Sequence, residues 1–260
     1  MRIATWNVNS VLARLPRLVE WLEQTAPDVV CLQETKVADD GFPADAVKPL
    51  GYEVEHYGEG RWNGVALLSR VGFAVVERGL PGDPGFPDPG TTEARTLAAT
   101  CGPVRVRSVY VPNGRTPEDP HYAYKLRWLA ALRDAVAGDS AAGTPFALMG
   151  DFNIAPSDAD VWDPAAFAGS THVTAAERQQ LADIESAGLT DIMPRIAKGN
   201  PFTYWDYRGG NFHKGMGMRI DLVLANAALA GVISDTWIDR EARKGKGPSD
   251  HAPVVVDLSL

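Results

Sequence analysis

Eight short runs, RIATWNV, DVVCLQE, GVALLS, FAVVE, VRVRSVYV, FALMGDF, RIDLVLA and VVVDL, dominate the chain. Each is rich in Val, Ile, Leu and aromatic residues and bounded by Gly, Pro or Asn, which is the pattern of strands. Helical patterns lie between them. LARLPRLVEWLEQ places Leu15, Leu18, Val19 and Leu22 on one face with Pro16 in the first turn, and KLRWLAALRDAV aligns Leu129, Leu132 and Val136. A third helix is predicted from Thr174 to Ala187, where Thr174 and Glu177 form a capping box. The strands are too many and too variably linked for a regular βαβ barrel. The expected class is therefore α/β, with two packed sheets flanked by helices.

The chain of 260 residues is 45% hydrophobic, enough for one large unit, and residues 1–260 are read as one. GLPGDPGFPDPGTT, residues 79–92, is expected to be a long surface loop because strand patterns resume on both sides. IATWNVN and ALMGDFNIAP both read as strands ending in an Asn-bearing turn, a weak internal symmetry. No apolar stretch reaches the roughly 18 residues that span a bilayer. The amino end turns polar too early for a signal peptide, so a cytoplasmic location with no membrane partner is expected. Cys31 and Cys101 lie in apolar, strand-like surroundings and are read as buried thiols.

The formal net charge of −8 argues against holding nucleic acid by charge alone. The charge is uneven, however. Arg195, Lys198, Arg208, Lys214 and Arg219 face only Asp206 over 25 residues, and Arg240 to Lys246 is basic again, so the last third is expected to present a cationic face.

The chemistry-bearing residues are expected to share the carboxyl-terminal tips of strands. Asn7 follows IATW, Glu34 follows VVCLQ, Tyr110 ends VRVRSV, and Asp151 and Asn153 follow FALMG. Asp221 is read inside RIDLVL, and Asp250 and His251 precede VVVDL, where Pro253 stiffens the start of the closing strand. Carboxylates and amide oxygens are hard ligands suited to Mg²⁺ or Mn²⁺. Any one of these acids and amides alone is an ordinary turn residue. Together they read as a site.

These residues also carry a resemblance. ATWNVNS, CLQETK, WNGVALLS, SVYVPNG, LMGDFNIAP, TYWDYR leading to GMGMRIDLVL, and SDHAPV occur in the order and approximate spacing of the exonuclease III and AP endonuclease family. That family belongs to the endonuclease/exonuclease/phosphatase superfamily, and the match runs from Ile3 to about Val255. The resemblance implies a four-layer αββα sandwich with the active site at one edge of the two sheets.

It further implies catalytic roles for Tyr110, Asp151, Asn153, Asp221 and His251. Asp151 would align or deprotonate water, Tyr110 would contact the scissile phosphate, and His251, oriented by Asp221, would bind a phosphate oxygen. Metal is expected near Asn7, Glu34, Asp151, Asn153, Asp250 and His251, with Mg²⁺ as cofactor and Mn²⁺ able to substitute. Asn9 stands where some relatives carry Asp, which bears on a second metal. Tyr204, Trp205, Arg208, Asn211, Lys214, Met218 and Arg219 are implied as the DNA-binding set, with Ile220 near the same pocket; Trp205 taken alone reads as a core residue. Met218 replaces a bulkier aromatic found in some relatives. Among the remaining histidines, His56, His121 and His172 are read as ordinary surface or satisfied residues, and His213 is kept as a DNA contact.

The implied activity is Mg²⁺-dependent hydrolysis 5′ to abasic sites and at 3′ ends of duplex DNA, by a monomer acting on abasic or 3′-blocked duplexes. A superfamily phosphatase acting on a phosphoinositide or sphingomyelin-type substrate is the alternative; WDYR through RIDL counts against it. A non-catalytic DNA-binding module is a third reading, disfavoured because a binder needs neither Glu34 nor His251.

Overall fold

The computed structural model describes residues 1–87, 91–196 and 199–260. Its first strands are β1 (Arg2–Asn7), β2 (Val29–Gln33), β3 (Glu53–Tyr57), β4 (Val65–Ser69), β5 (Ala74–Arg78) and β6 (Thr96–Cys101). The others are β7 (Val104–Tyr110), β8 (Phe146–Asp151), β9 (Leu189–Asp191), β10 (Asp221–Asn226), β11 (Ile233–Ile238) and β12 (Val254–Leu258). The α-helices are α1 (Val11–Thr25), α2 (Ala44–Val47), α3 (Pro120–Ala141), α4 (Ala175–Glu185), α5 (Asn211–Lys214) and α6 (Ala227–Ala230). They build two six-stranded mixed sheets, ordered β11-β12-β1-β2-β4-β3 and β5-β6-β7-β8-β10-β9.

Side-chain alternation sorts the core into layers. Ile3, Val29, Cys31, Val65 and Leu67 of one sheet meet Leu97, Val106, Ala147, Met149 and Val223 of the other in a single cluster. The opposite parity, Ala4, Trp6, Val30, Leu32 and Leu68, packs on Leu18, Trp21 and Leu22 of α1. On the far side, Leu148, Leu222 and Leu224 pack on Trp128, Leu129 and Leu132 of α3 and Leu181 and Ile184 of α4. Both faces of both sheets are covered, which is the four-layer αββα sandwich that the resemblance implies. Cys31 and Cys101 are free and buried in the inter-sheet cluster.

The two sheets share a plan. β1 runs parallel to β2 and antiparallel to β12, and β8 runs parallel to β7 and antiparallel to β10. The residues at the ends of β1, β2, β7 and β8 and at the starts of β10 and β12 therefore lie at one edge. Asp221 is the first residue of β10 and Asp250 and His251 precede β12, so these three sit at strand beginnings rather than tips. Antiparallel pairing brings them to the same place.

The helices differ in detail from expectation. α1 starts at Val11, which puts Pro16 inside the helix rather than in its first turn. α3 is longer than its periodic segment because Asp119 caps it and Pro120 occupies the first position. α4 starts on the expected Thr174/Glu177 capping box. Strands β3, β6, β9 and β11 were not legible as such. Residues 79–92 contain no strand or helix where described, and 88–90 of that loop lie outside the described residues. Among the described residues no helix is long and apolar enough to cross a membrane.

Two of the plain histidines are buried. His56 Nε2 lies 2.8 Å from Thr35 Oγ1, while its Nδ1, 3.1 Å from Asp39 Oδ1, makes no hydrogen bond; His121 Nδ1 accepts the Gly114 N–H at 3.1 Å. Burial, then the charges of Arg95 and Arg115, lower the His121 pKa to about 4 against the pull of Glu93 and Asp119. The unfolded chain binds this proton more readily, so the stability His121 confers is present above about pH 6.5 and lost as pH falls toward 4. His121→Asn keeps an acceptor for Gly114 and does not titrate. Urea unfolding at pH 7 and pH 4.5 should show the variant losing about 1–3 kcal/mol less than the wild type; equal losses would remove His121 from the acid response.

Candidate active site

The edge residues converge through specific contacts. Asn7, fully buried at the end of β1, donates from Nδ2 to Glu34 Oε1 and to Asp151 Oδ2, both at 2.9 Å. Its Oδ1 accepts the Asn9 N–H at 3.0 Å. Glu34 follows β2 with a positive φ of 53°, an uncommon conformation for a non-glycine residue, which ends the strand and turns the chain at the site. Asn153 does the same beyond β8 with φ 50°. Gly150 allows β7 and β8 their close approach: a Cβ there would sit 2.0 Å from the Val109 carbonyl oxygen. That register sets Tyr110 opposite Asp151.

His251 Nδ1 lies 2.8 Å from Asp221 Oδ2, and its Nε2 lies 3.9 Å from Asp151 Oδ2. Burial alone would lower the His251 pKa; the charge and hydrogen bond of Asp221, helped by Asp151 and Asp250, push it up to about 10. The imidazolium is thus the resting form, with the Nδ1 proton donated to Asp221. Asp151 is pushed up to about 7, first by burial and then by Asp221 and Glu34, against the pull of His251. Glu34 moves down: burial acts upward but is outweighed by Lys36, whose Nζ lies 2.7 Å from Oε2, and by Asn7. For Tyr110, burial and then the Glu34 charge drive the phenol well above its usual range, so it stays protonated.

Glu34, Asp151 and His251 each present a ligand atom within 4.8 Å of one another. Hard carboxylate oxygens crowded together, one buried carboxyl pushed toward protonation and an unpartnered buried Asp221 Oδ1, form an excess of negative charge that suits a divalent cation. The donor set fits a hard metal, and Glu34 and Asp151 are the residues able to hold it. His251 completes that group, its Nδ1 engaged by Asp221. Asp250 stands outside that group: both its oxygens accept from Asn9 Nδ2, at 3.1 and 3.2 Å, and Asn9 Oδ1 accepts from Lys36. Asn153 Oδ1 accepts from Asn113 at 3.3 Å.

A cavity of about 170 Å³ opens here, lined by Glu34, Tyr110, Asp151, Asn153, Asp250 and His251 together with Asn9, Asn113, His172, Tyr204 and Ile220. His172 was read as an ordinary residue; it lies half-buried in the cavity wall, Nε2 3.3 Å from Asn113 Nδ2. Asn113 lay unremarked within SVYVPNG. A positive φ of 82° at His172 is the only local peculiarity, and it is invisible in sequence.

The implied DNA-binding set divides. Tyr204 lines the cavity, its ring 4.9 Å from that of His251. Arg208 and Lys214 are exposed, and Asn211 is half-buried beside them. Trp205 is fully buried with Phe202 and Ala252 and does not face solvent. Met218, 8% exposed, forms an apolar wall with Ile220, Ala155 and Val161. Arg219 does not face DNA: it is 2% exposed and clamped by Asp160 and a bidentate contact to Asp191. The basic face shrinks further. Arg195 pairs with Asp235, Arg243 is buried, and Lys198 lies outside the described residues. His213 is exposed next to Lys214. A residue missed altogether is Trp62, 63% exposed with the Arg61 guanidinium over its ring, on a groove that shares Tyr110 and Asn113 with the site.

Such a site, an acid cluster and an imidazolium at the edge of an αββα sandwich, defines a metal-assisted phosphoester hydrolase. The chain belongs to the Endonuclease/Exonuclease/phosphatase family, whose model matches residues 4–251. Within it, the chain is 31% identical to exodeoxyribonuclease III of Haemophilus influenzae, covering 98% of both chains. Its fold superposes on a 3′-5′ exonuclease, NExo, from Neisseria meningitidis with a TM-score of 0.92 and 39% identity, and on an AP endonuclease from Archaeoglobus fulgidus with 0.93 and 32%, each over 100% of both chains. It is a hydrolytic nuclease of the exonuclease III and AP endonuclease branch, a divalent-metal-dependent family, and not a lipid phosphatase.

A buried ion pair holds the second half of the site. Lys125 Nζ donates to Glu177 Oε1 and to the carbonyls of Asn153 and Asn113, and Glu177 also accepts from Thr171 and the His172 N–H. Both side chains are fully buried. Lys125→Met would strand the Glu177 carboxylate, a loss of about 3–5 kcal/mol. Lys125→Met combined with Glu177→Gln should recover much of that stability but not turnover, because Asn113 and Asn153 lose their anchor; full recovery of both would show the pair to be merely structural.

Proposed function

We propose that this chain is a Mg²⁺-dependent DNA repair nuclease, with Mn²⁺ able to substitute, that hydrolyses phosphodiesters at 3′ ends of duplex DNA and 5′ to abasic sites. The carrying observation is that Glu34, Asp151 and the Asp221-bound His251 meet in one cavity. The 39%-identical relative, described as a 3′-5′ exonuclease and as a 3′ phosphatase bound to a product DNA hairpin, supports the 3′-end activity. Likeness to an AP endonuclease supports the abasic one. We place the enzyme in the cytoplasm as a monomer.

Glu34 and Asp151 would hold the cation, which would supply charge neutralisation at the phosphate and at the departing oxygen. The protein's own groups do the rest. Asp151, buried and with raised proton affinity, orients the attacking water and takes its proton. His251, kept cationic by Asp221, donates from Nε2 to a non-bridging oxygen, and the protonated Tyr110 donates to another. Asn153 and Asn7 fix these groups so that little reorganisation is needed in the transition state. Tyr204, Ile220 and Met218 form the apolar side on which a deoxyribose without a base would rest. Arg208 and Lys214 contact phosphates, and Trp62 offers a stacking surface where the strand continues.

Replacing Glu34 by Gln removes one negative charge without changing shape. Assayed on an abasic duplex and on a recessed 3′ end across a Mg²⁺ series, Glu34→Gln should need at least about tenfold more Mg²⁺ on both substrates, with urea stability unchanged. Wild-type metal dependence would show that Glu34 does not hold the metal. A wild type without activity on either duplex would refute the substrate assignment.

A further inference from the structure

Apart from the nuclease site, a cavity of about 400 Å³ is lined by Pro201, Phe212, Trp237 and Ile238, with Arg195 and Arg240. The guanidinium of Arg240 lies 4.8 Å from the centroid of the Trp205 ring and 5.3 Å from that of Phe212. Arg240 makes no ion pair and no side-chain hydrogen bond among the described residues, although it is half-buried. The two acids in the same lining are otherwise engaged: Asp239 accepts from Trp21 Nε1 at 2.9 Å, and Glu241 pairs with Lys244 at 2.7 Å. Arg243 is stacked on the same Phe212 ring at 5.0 Å and, among the described residues, bonds only the Ser249 carbonyl. A chain of net charge −8 thus keeps two guanidinium groups without an anion over one aromatic pair beside an apolar hollow. Ile196, 56% exposed, extends the apolar lining to the surface.

We propose that this cavity docks an acidic peptide segment of a partner protein, one that places a large apolar side chain next to carboxylates. The side chain fills the hollow between Phe212 and Trp237. A carboxylate pairs with the Arg240 fork, which is already fixed by its stacking and so loses little freedom on binding. Charge complementarity selects this occupant over the DNA backbone. A duplex is a convex row of phosphates, best met by extended, solvated cations such as Arg208 and Lys214; a concave apolar hollow with a half-buried guanidinium suits a side chain and its neighbouring carboxylate.

The probe is a fluorescein-labelled peptide of four aspartates followed by leucine and phenylalanine, with a free carboxyl terminus, followed by anisotropy against the intact protein. Saturable binding is expected, weakened at least about tenfold by exchanging the peptide's phenylalanine for serine and by Arg240→Gln. Lys244→Glu, a surface change that reverses charge at the rim, should weaken it similarly. Nuclease rates of both variants on a short duplex should equal the wild type's. Absence of saturable binding, or variants that bind as well as the wild type, would overturn the proposal. So would a duplex that displaces the peptide while both variants lose duplex affinity by the same factor, because the cavity would then be part of the DNA track.

Discussion

The amide of Asn7 joins the two halves of the molecule at the point where the chemistry lies. Its Nδ2 group reaches Glu34 in its own sheet and Asp151 in the facing one. Two carboxylates this close repel, and a shared donor is the least disruptive way to hold them without neutralising either. Beneath it, Gln33 Nε2 bonds Ser108 Oγ at 2.9 Å and Thr5 Oγ1 at 3.0 Å. This buried polar ladder links β2 to β7 between otherwise apolar faces. A slip of one sheet over the other would leave these groups unsatisfied, so the ladder fixes the registration on which the site's distances depend. Ser249 closes the third side, its Oγ donating to the Asn7 carbonyl at 2.7 Å and accepting the His251 N–H.

Around that link the charges are balanced unevenly by design of the fold. Lys36 offsets Glu34, and Asp221 fixes the charge on His251, while for Asp151 burial and the charges of Asp221 and Glu34 outweigh the pull of His251. The result is a carboxyl with a taste for protons beside an imidazolium that keeps its own. Environments that push two titratable groups apart in this way assign a base and a charge-stabilising donor within a few ångströms. The Lys125–Glu177 pair works at one remove, holding the loops that carry Asn113, Asn153 and His172.

Much of this is legible in the sequence. Many short apolar strands with helices between them imply packed sheets flanked by helices, and the motif resemblance implies the four layers and the shared edge. What escaped the sequence depends on contacts between distant residues. Arg219 sits in a glycine-rich, aromatic stretch that reads as a DNA surface, yet its partners Asp160 and Asp191 are 59 and 28 residues away, and together they bury it. His172 has no motif around it; it reaches the cavity because Glu177 captures its N–H and α4 fixes Glu177. Trp62 lies inside WNGVALLS, where the strand pattern that follows hides an exposed ring. Strand direction was the other blind spot: Asp221 and Asp250 reach the edge only because β10 and β12 run antiparallel to β8 and β1.

The central claim, that the Asn7 amide holds two carboxylates in place for a cation, is tested most directly by the thermal unfolding of Asn7→Ala with EDTA and with saturating Mg²⁺. Losing the shared donor leaves Glu34 and Asp151 facing each other uncompensated, so the variant should melt well below the wild type in EDTA, by several degrees for a loss of about 1–3 kcal/mol. Mg²⁺ supplies a positive charge between the two carboxylates in place of that donor and should close most of that gap. A deficit of the same size with and without Mg²⁺ would contradict the account, because Asn7 would then be an ordinary buried hydrogen-bonding residue with no part in assembling the metal site.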